Sequence, residues 1–458
     1  MQINPTIFKA YDIRGIYPTE INEEAAKSIA LAYLKILQAK FKKPLNSLKV
    51  AVARDNRQAS GPLTKAVIEV LLQSGVNVGD LGLISVNDYY FAVGHYQYDG
   101  GIMATASHNP PEYGGFKMVV LNQETRNSFF FISGLELQQA LKNISLPAAA
   151  GQQPGILAKK EVLAGHLKHI LKFIDLHKIK PLKVAVDTGG GMAGLMMPLL
   201  FKELPCTLIP LFFKPDSNFS NRPPNPLLPG AADKISAKVL AEQADLGIIF
   251  DVDGDRIFLI DELGNFIRGD MTLLLLAKAL LVKNSGAGVV YNLICSHAVK
   301  DLVTKWGGRA IRSEVGYMNL ARHMHEEHGL MSGEVSGHYA FKDSFYSDNA
   351  FIALVLALQT ISEDGRPLSE IIKDYGLYAK GDEINLTVQN IPAKLEKIRK
   401  YYAANILDEM DGITVEFADW WFNVRASNTE PLLRITVEAG NKEELKKWQD
   451  EVLKVINS

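Results

Sequence analysis

Short apolar runs alternate with helix-period stretches through most of this chain, from about residue 22 to residue 351. The runs that have the length and composition of strands lie at 48–53, 101–105, 183–186, 245–250 and 288–291, with a shorter one at 330–332. Asn22 before two glutamates has the features of a helix N-terminus, because an N-cap side chain and early acids suit the helix dipole. Alternation of this kind predicts α/β layers with largely parallel or mixed sheets.

The length and the composition breaks predict several domains. A chain of 458 residues is too long for one ordinary hydrophobic core. Residues 146–155, rich in Pro, Ala, Gly and Gln, have the composition of a linker. Beyond about residue 372 the order of elements changes. The elements expected there are strands at 383–388, 413–415, 420–425 and 432–437 and helices at 392–406 and 442–456, which favour a separate α+β domain.

Charge and cysteine content exclude several classes of protein. Lys and Arg total 49 against 51 Asp and Glu, a formal charge of −2, so no nucleic-acid or membrane partner is expected and an anionic ligand would need local cations. Cys206 and Cys295 are too few for a disulfide framework and form no CxxC zinc pair. The N-terminus lacks signal-peptide features, and no apolar stretch reaches the roughly 20 residues that span a bilayer. We therefore expect a soluble, cytoplasmic protein.

The first of four polar loops, residues 105–117, contains Ser107 and follows a predicted strand. Pro110 and Pro111 block both helix and further strand pairing, so the serine is presented on a stiff loop at a strand end. Three interpretations are open: a polar turn with a capping serine, a hydrolase nucleophile, and a nucleophile of another kind. The Gly-x-Ser-x-Gly elbow of the hydrolases is absent.

The second loop contains three acids at alternate positions, Asp251, Asp253 and Asp255, followed by Arg256. Three carboxylates on one loop can converge on a hard divalent cation. An EF-hand is rejected, because Arg256 occupies the position that needs glycine and residues 257–260 have the pattern of a strand. The spacing favours a Mg²⁺ site, and a surface acidic turn is the alternative.

The third loop, residues 333–338, places Glu334, Ser336 and His338 at alternate positions. In an extended segment these side chains face one way. Carboxylate and hydroxyl suit sugar hydroxyls, and a histidine can bind phosphate or relay a proton. A purely structural histidine is the alternative.

The fourth loop, residues 424–431, joins two predicted strands and begins with Arg425. Small polar residues follow the arginine: Ser427, Asn428 and Thr429. An arginine followed by small donors and exposed amides can hold a phosphate, whereas an ordinary hairpin turn is the alternative.

In this order the four loops resemble those of the α-D-phosphohexomutase family, and the string from Phe8 to Gly15 resembles its phosphomannomutase/phosphoglucomutase branch. The resemblance covers essentially the whole chain. It implies four domains around a central cleft, three related mixed α/β domains and a smaller C-terminal α+β domain. The expected ranges are 1–150, 151–254, 255–372 and 373–458. The implied activity interconverts hexose 6-phosphate and hexose 1-phosphate, of mannose or glucose, through a phosphoserine and a bisphosphorylated sugar.

The resemblance also assigns roles to individual residues. Ser107 matches the phosphoserine, Lys117 and His338 are acid/base candidates, and Arg256 would offset charge on the transferring group. The Mg²⁺ ligands implied are Asp251, Asp253, Asp255 and a phosphoserine oxygen on Ser107. The substrate-binding residues implied are Tyr11, Arg14, Glu334, Ser336, Arg425, Ser427, Asn428 and Thr429. Hexose 1,6-bisphosphate is the expected activator, small hexose phosphates are the expected partners, and the expected state is a monomer or weak homodimer.

The chain departs from the family pattern at several positions, which leaves the substrate open. Glycines occupy positions 114 and 190, where asparagine is usual in the family. Ile294 and Tyr317 stand where a lysine and a histidine are usual, and Glu314 stands where a basic residue is common. A mutase for another phosphosugar, a catalytically weak sugar-phosphate-binding regulator, and a phosphatase or serine hydrolase using Ser107 are therefore alternatives.

Overall fold

The computed structural model describes residues 3–142, 153–427 and 432–457. The chain divides into two compact units, residues 1–268 with 336–369, and residues 269–335 with 370–458. Within the described residues, no helix combines the length and the apolar character needed to cross a bilayer.

The first sheet is mixed and has helices on both faces. Its elements are β1 (Ile13–Ile16), α1 (Glu23–Phe41), β2 (Lys49–Arg54), α2 (Ser60–Gln73), β3 (Asn77–Leu83), α3 (Val86–His95), β4 (Gly100–Ala104), β5 (Tyr113–Leu121), β6 (Phe129–Phe131), α4 (Gly134–Leu141) and β7 (Leu157–Lys159). The strand order is β1-β5-β4-β2-β3-β7, with β6 beside β5. Central β2 is parallel to β3 and β4, whereas β5 runs antiparallel to β4.

Alternation along β2 explains this three-layer packing. Val50 and Val52 belong to the core cluster under α1 and α2, whereas Ala51 and Ala53 belong to the cluster under α3. Successive side chains of a strand point to opposite faces, so a strand with four apolar residues in a row, such as residues 50–53 of β2, is covered on both sides.

The second sheet carries the acidic loop. Its elements are α5 (Leu163–Ile170), β8 (Lys183–Asp187), α6 (Ala193–Glu203), β9 (Thr207–Leu211), α7 (Asp233–Glu242), β10 (Leu246–Phe250), β11 (Ile257–Ile260) and β12 (Phe266–Ile267), in the strand order β12-β11-β10-β8-β9. The domain boundary expected between residues 254 and 255 falls inside this sheet, because β11 returns antiparallel along β10. We propose that the second domain extends through Ile267.

The third segment of the chain contributes elements to both units. They are α8 (Gly269–Leu281), β13 (Gly288–Asn292), α9 (His297–Lys305), β14 (Arg309–Ser313), α10 (Tyr317–Glu326), β15 (Gly329–Gly333), β16 (Tyr339–Phe341), β17 (Ser347–Asp348), α11 (Ala350–Asp364) and α12 (Leu368–Tyr375). In one unit β13 lies between β14 and β15 and is parallel to both. In the other, β16 and β17 form an antiparallel pair.

The C-terminal elements form the predicted α+β sheet. They are β18 (Ala379–Lys380), β19 (Ile384–Thr387), α13 (Ile391–Tyr401), β20 (Ile406–Asp408), β21 (Ile413–Glu416), β22 (Trp420–Ala426), β23 (Leu432–Ala439) and α14 (Lys442–Asn457). Trp420, Phe422 and Val424 face the core together with Ile398 of α13 and Val452 of α14. By the period of two, Arg425 lies on the opposite face of β22.

Two of the expected loops are shorter than predicted. The serine loop ends at Glu112, because residues 113–117 belong to β5. Residues 113–116 pair antiparallel with β1, and Phe116 and Lys117 pair antiparallel with β4, with Met103 opposite Lys117. The fourth loop begins after Ala426, because Arg425 is still paired in β22, opposite Arg434.

Candidate active site

Ser107 lies three residues beyond the end of β4 in a backbone conformation that is uncommon for serine. Its φ is 49°, in the left-handed region, and the residue is buried. Its N–H donates to the Thr105 hydroxyl at 2.9 Å, and its Oγ lies 3.1 Å from Nδ1 of His108. Residues kept in such conformations are enriched at active sites.

The three aspartates converge at the end of β10. One carboxylate oxygen from each of Asp251, Asp253 and Asp255 lies within 4.8 Å of the others, and all three residues are buried. Gly254 supplies the turn with a φ of 83°, a conformation that glycine adopts without a steric penalty. Asp251 Oδ1 accepts hydrogen bonds from the N–H groups of Gly254 and Arg256, at 3.1 and 3.2 Å.

This donor set fits a hard divalent cation. Each aspartate keeps one buried oxygen that accepts no hydrogen bond from the described residues: Asp251 Oδ2, Asp253 Oδ1 and Asp255 Oδ1. Buried carboxylate oxygens are costly without a partner, and oxygen is the ligand that Mg²⁺ and Ca²⁺ prefer. Three monodentate carboxylates leave room in an octahedral shell for further oxygens.

The serine loop and the aspartate loop touch each other. The Thr105 hydroxyl donates to Asp253 Oδ2 at 3.3 Å, two residues before Ser107. Lys117, on the neighbouring strand β5, donates to the same oxygen at 2.8 Å and also to Asp255 Oδ2. The segment that contains Ser107 and the acidic cluster, 144 residues apart at their nearest members, therefore lie side by side.

Two further groups beside the aspartates carry or can carry positive charge. Arg256 Nε lies 3.7 Å from Asp251 Oδ2, and His338 Nε2 lies 3.6 Å from Asp255 Oδ1. An isolated antiparallel bridge between Arg256 and His338 fixes the backbone of both. The other ring nitrogen of His338 lies 2.9 Å from the Ser336 hydroxyl.

Burial and the neighbouring charges shift the pKa values of Asp251 and Asp255 in opposite directions. Burial raises the pKa of Asp251 well above its usual range, and the carboxylates of Asp253 and Asp255 raise it further. Burial also opposes ionisation of Asp255, but Lys117 and His338 hold the pKa of that carboxyl well below its usual range. Burial, reinforced by the charges of Arg256 and other nearby cations, lowers the pKa of His108 well below its ordinary value, which favours a neutral imidazole beside the Ser107 hydroxyl.

The residues near the N-terminus approach the same loop. Arg14 is held by Asp12, with Nε and Nη2 at 2.9 and 2.7 Å from Oδ2, and its Nη1 donates to Asn109 Oδ1 at 2.5 Å. Tyr11 is half-buried. Arg14 therefore presents a fixed guanidinium next to the serine loop.

The remaining candidates belong to the other compact unit. Glu334 follows β15, is buried, and accepts from Asn292 Nδ2 at 3.1 Å. Arg425 is buried on β22 and donates to Glu383 at 2.7 Å. The Ser427 N–H donates to the Leu432 carbonyl at 2.9 Å. Asn428 and Thr429 lie outside the described residues.

Two residues of this site were not among the sequence candidates, Thr105 and Arg57. Arg57 follows β2 within the segment from Arg54 to Gln58, and its guanidinium contacts the carbonyls of the serine loop. A signal existed in the sequence, because β2 and β4 are neighbouring parallel strands and polar residues at the carboxyl ends of such strands meet at one edge.

Family models match nearly the whole chain. The phosphoglucomutase/phosphomannomutase alpha/beta/alpha domains I, II and III match residues 5–125, 164–264 and 268–378, and the C-terminal domain matches residues 383–455.

Relatives of similar length match as well. A protein from Xanthomonas campestris pv. campestris named "Phosphohexose mutases" is 36% identical over 434 residues, which are 94% of each chain. A "Phosphomannomutase/phosphoglucomutase" from Pseudomonas aeruginosa is 34% identical over 448 residues, covering 96% of this chain and 93% of that one.

Solved structures share the fold. A phosphoglucomutase/phosphomannomutase family protein from Burkholderia thailandensis is 29% identical, with a TM-score of 0.86 over 100% of this chain and 98% of that one. N-acetylphosphoglucosamine mutase from Aspergillus fumigatus, solved in complex with GlcNAc-6P and magnesium, is 13% identical, with a TM-score of 0.61 over 94% and 96%. The latter likeness concerns the fold alone.

Together these matches define an intramolecular phosphotransferase built from four domains, three α/β and one C-terminal. The chain belongs to the phosphoglucomutase/phosphomannomutase family of hexose phosphate mutases. The family and the class of enzyme that the four loops predicted are confirmed.

Proposed function

We propose that the chain interconverts hexose 6-phosphate and hexose 1-phosphate, with mannose or glucose as the sugar, through phosphorylated Ser107. The observation that carries the proposal is the contact of the aspartate loop with the serine loop and with β5, made by Asp253 with Thr105 and with Lys117. The names of the relatives, which refer to phosphohexoses, phosphomannose and phosphoglucose, support the choice of sugars.

Asp251, Asp253 and Asp255 would hold Mg²⁺, each through its oxygen that lacks a hydrogen bond. The ion would offset negative charge on the phosphoryl oxygens, which is most of what phosphoryl transfer asks of a protein. Arg256 adds a fixed positive charge at the edge of the same cluster.

Phosphorylated Ser107 gives its phosphoryl group to the free hydroxyl of a sugar phosphate. The phosphorus–oxygen bond to the sugar forms while the bond to Ser107 Oγ breaks. The proton of the sugar hydroxyl passes to a base, and an acid gives a proton to the leaving Ser107 oxygen. Lys117 and His338 are the proposed acid and base, since both lie beside the aspartates in the compact unit that also contains Ser107. The other phosphate of the bisphosphorylated sugar then returns to Ser107 by the reverse chemistry.

The remaining candidates are proposed to bind substrate. Tyr11 and Arg14 flank the serine loop, and Ser336 is held against His338. Glu334 would read sugar hydroxyls, and Arg425 with Ser427, Asn428 and Thr429 would hold the phosphate that is not being transferred. A hexose 1,6-bisphosphate would start the cycle by phosphorylating Ser107.

The test is a panel of mannose, glucose and glucosamine 1-phosphates, each with MgCl₂ and a trace of glucose 1,6-bisphosphate, followed by ³¹P NMR. We expect conversion of a 1-phosphate to a 6-phosphate without net release of inorganic phosphate. The Ser107→Ala variant should lose turnover and the phosphoryl mass on its tryptic peptide, whereas Ser47→Ala, at an exposed serine of the same domain, should keep both.

Three results would contradict the proposal. Release of inorganic phosphate would indicate a phosphatase, and binding of sugar phosphates without turnover would indicate a regulator. Undiminished turnover by Ser107→Ala would remove the serine from the mechanism.

A further inference from the structure

The buried guanidinium of Arg57 donates hydrogen bonds to carbonyl groups of the serine loop and of the first residue of β5. Arg57 Nη2 donates to the carbonyl of Ser107 and, at 2.6 Å, to that of Asn109. Its Nη1 donates to the carbonyls of Pro110 and Tyr113, at 2.6 and 3.3 Å. Arg57 is only 2% exposed, so its donor groups are removed from bulk water.

The loop needs such a donor because much of its backbone has left the sheet. Pro110 and Pro111 have no N–H to donate within the loop, and the Arg57 side chain supplies donors to the carbonyls of Ser107 and Asn109. Arginine presents five N–H donors in one rigid plane, whereas the lysine ammonium has three on a flexible stem. The guanidinium can therefore satisfy several carbonyls of a turning backbone from one fixed position.

Arg57 is itself held in place from two sides. On one side its Nε lies 3.3 Å from Asp55 Oδ2, and the Arg57 N–H donates to Asp55 Oδ1 at 3.0 Å. On the other side, the ring of Phe219 lies 4.9 Å from the guanidinium carbon. Phe219 is buried and belongs to the segment between β9 and α7, so the second domain supports a group of the first.

The arrangement acts on the serine through its backbone. Ser107 has a φ of 49°, which serine adopts only when its surroundings impose it. The bond from Arg57 to the Ser107 carbonyl, with the bond from Ser107 N–H to Thr105, fixes both peptide groups that flank the residue. The direction of Oγ follows from these two peptide planes.

We propose that Arg57 is a positioning residue, which holds Ser107 in its left-handed conformation so that Oγ can take and give a phosphoryl group, and that Phe219 keeps Arg57 in place. This inference rests on the proposed function. It predicts that loss of the planar guanidinium slows phosphorylation of Ser107 while leaving the affinity for sugar phosphate nearly unchanged.

The experiment compares wild type, Arg57→Lys and Phe219→Leu, with Arg126→Lys as the matched control, since Arg126 binds Gln97 at the surface of the same domain. Each protein is mixed with Mg²⁺ and glucose 1,6-bisphosphate, and intact-protein mass spectrometry gives the phosphorylation rate, corrected for the folded fraction from near-UV circular dichroism. Steady-state kinetics on a sugar 1-phosphate give kcat and KM.

We expect Arg57→Lys to lower the phosphorylation rate and kcat by about tenfold or more, with KM changed by less than about twofold, because misplaced reacting groups lose rate rather than binding. Phe219→Leu should lower the rate by about threefold, and Arg126→Lys should match wild type. If Arg57→Lys does not fold, Phe219→Leu carries the test.

The inference is overturned if either folded variant is phosphorylated at the wild-type rate, or if activity falls only in proportion to the folded fraction. Wild-type protein that takes no phosphoryl group and turns over no hexose phosphate overturns the proposed function, and this inference with it. Normal wild-type phosphorylation with unaffected variants overturns the role of Arg57 alone.

Discussion

Lys117 Nζ lies 2.8 Å from Asp253 Oδ2 and also contacts Asp255, although the three groups come from a strand of the first domain and a loop of the second. All three side chains are almost fully buried. The ammonium therefore offsets part of the negative charge that three clustered carboxylates would otherwise leave inside the protein.

The first prediction concerns this counter-charge. Lys117→Met should destabilise the metal-free protein by about 3 kcal/mol, because removal of one partner leaves buried carboxylates uncompensated. Adding Mg²⁺ should then raise the unfolding temperature of the variant more than that of wild type, since ions that bind only the native state stabilise it. Thermal unfolding in EDTA and in MgCl₂ measures both effects.

Lys27→Met is the control for Lys117, since Lys27 pairs with Glu24 and Glu69 at the surface. We expect it to unfold like wild type in both buffers. A Lys117→Met variant as stable as wild type in EDTA would show that the ammonium does not compensate the aspartates.

The second prediction concerns the support of the aspartate loop. Asn87, at the start of α3, donates through Nδ2 to the Gly254 carbonyl and accepts through Oδ1 from the Ala350 N–H at 3.1 Å. Asn87→Ala leaves two buried backbone groups without partners, which should cost about 2–4 kcal/mol in urea denaturation. Asn284→Ala, which removes one exposed bond to Leu280, should cost less than about 0.5 kcal/mol. Equal losses in the two variants would contradict this account.

Much of the fold could be predicted because its signals are local. The strands predicted at 183–186 and 288–291 are β8 (Lys183–Asp187) and β13 (Gly288–Asn292), and Asn22 caps α1 by accepting from the Ala25 N–H. In these segments hydrophobic pattern, length and capping chemistry all favour one structure.

The predicted element bounds that were wrong lie in segments where tertiary contacts outweigh the local sequence pattern. The helix predicted to reach residue 406 ends at Tyr401, because residues 406–408 form β20 and pair with β21. Nothing within that segment predicts the pairing. Residues 113–117 form a strand for the same reason, through their pairing with β1 and β4.

In the candidate site, too, some residues could be predicted from the sequence and others depend on tertiary contacts. Ser107 and the aspartates could be singled out because a nucleophile or ligand must be of a particular residue type. The role proposed for Arg57 could not be predicted, since it depends on where four carbonyl groups, three in the serine loop and one at the start of β5, point in the folded chain.

The third prediction concerns pH. Burial among aromatic rings, including those of Phe91 and Phe173, lowers the pKa of His169 to about 4. In the unfolded chain the same group titrates near 6.5, so between these values the unfolded state binds more protons and stability falls as pH falls. From pH 7 to pH 5 this should cost about 1–2 kcal/mol, allowing for partial exposure.

His169→Phe should remove that part of the pH dependence, because the ring fits an aromatic cluster and cannot be protonated. Urea denaturation of both proteins at pH 7 and pH 5 gives the comparison. An identical loss of stability in the variant would mean that other groups produce it.

The fourth prediction concerns a buried carboxylate in the C-terminal sheet. Glu438 is 1% exposed and accepts from Trp421 Nε1 at 2.8 Å and from the His297 N–H at 2.9 Å. Trp421→Phe keeps an aromatic ring but removes one donor, which should lower the free energy of unfolding by about 2–3 kcal/mol. Trp448 is the matched control, because it stacks on Trp420 while its Nε1 has no acceptor among the described residues. Trp448→Phe should therefore cost less than about 1 kcal/mol, from lost ring area alone. If the two substitutions cost the same in chemical denaturation, the indole hydrogen bond contributes nothing and ring size accounts for the whole effect.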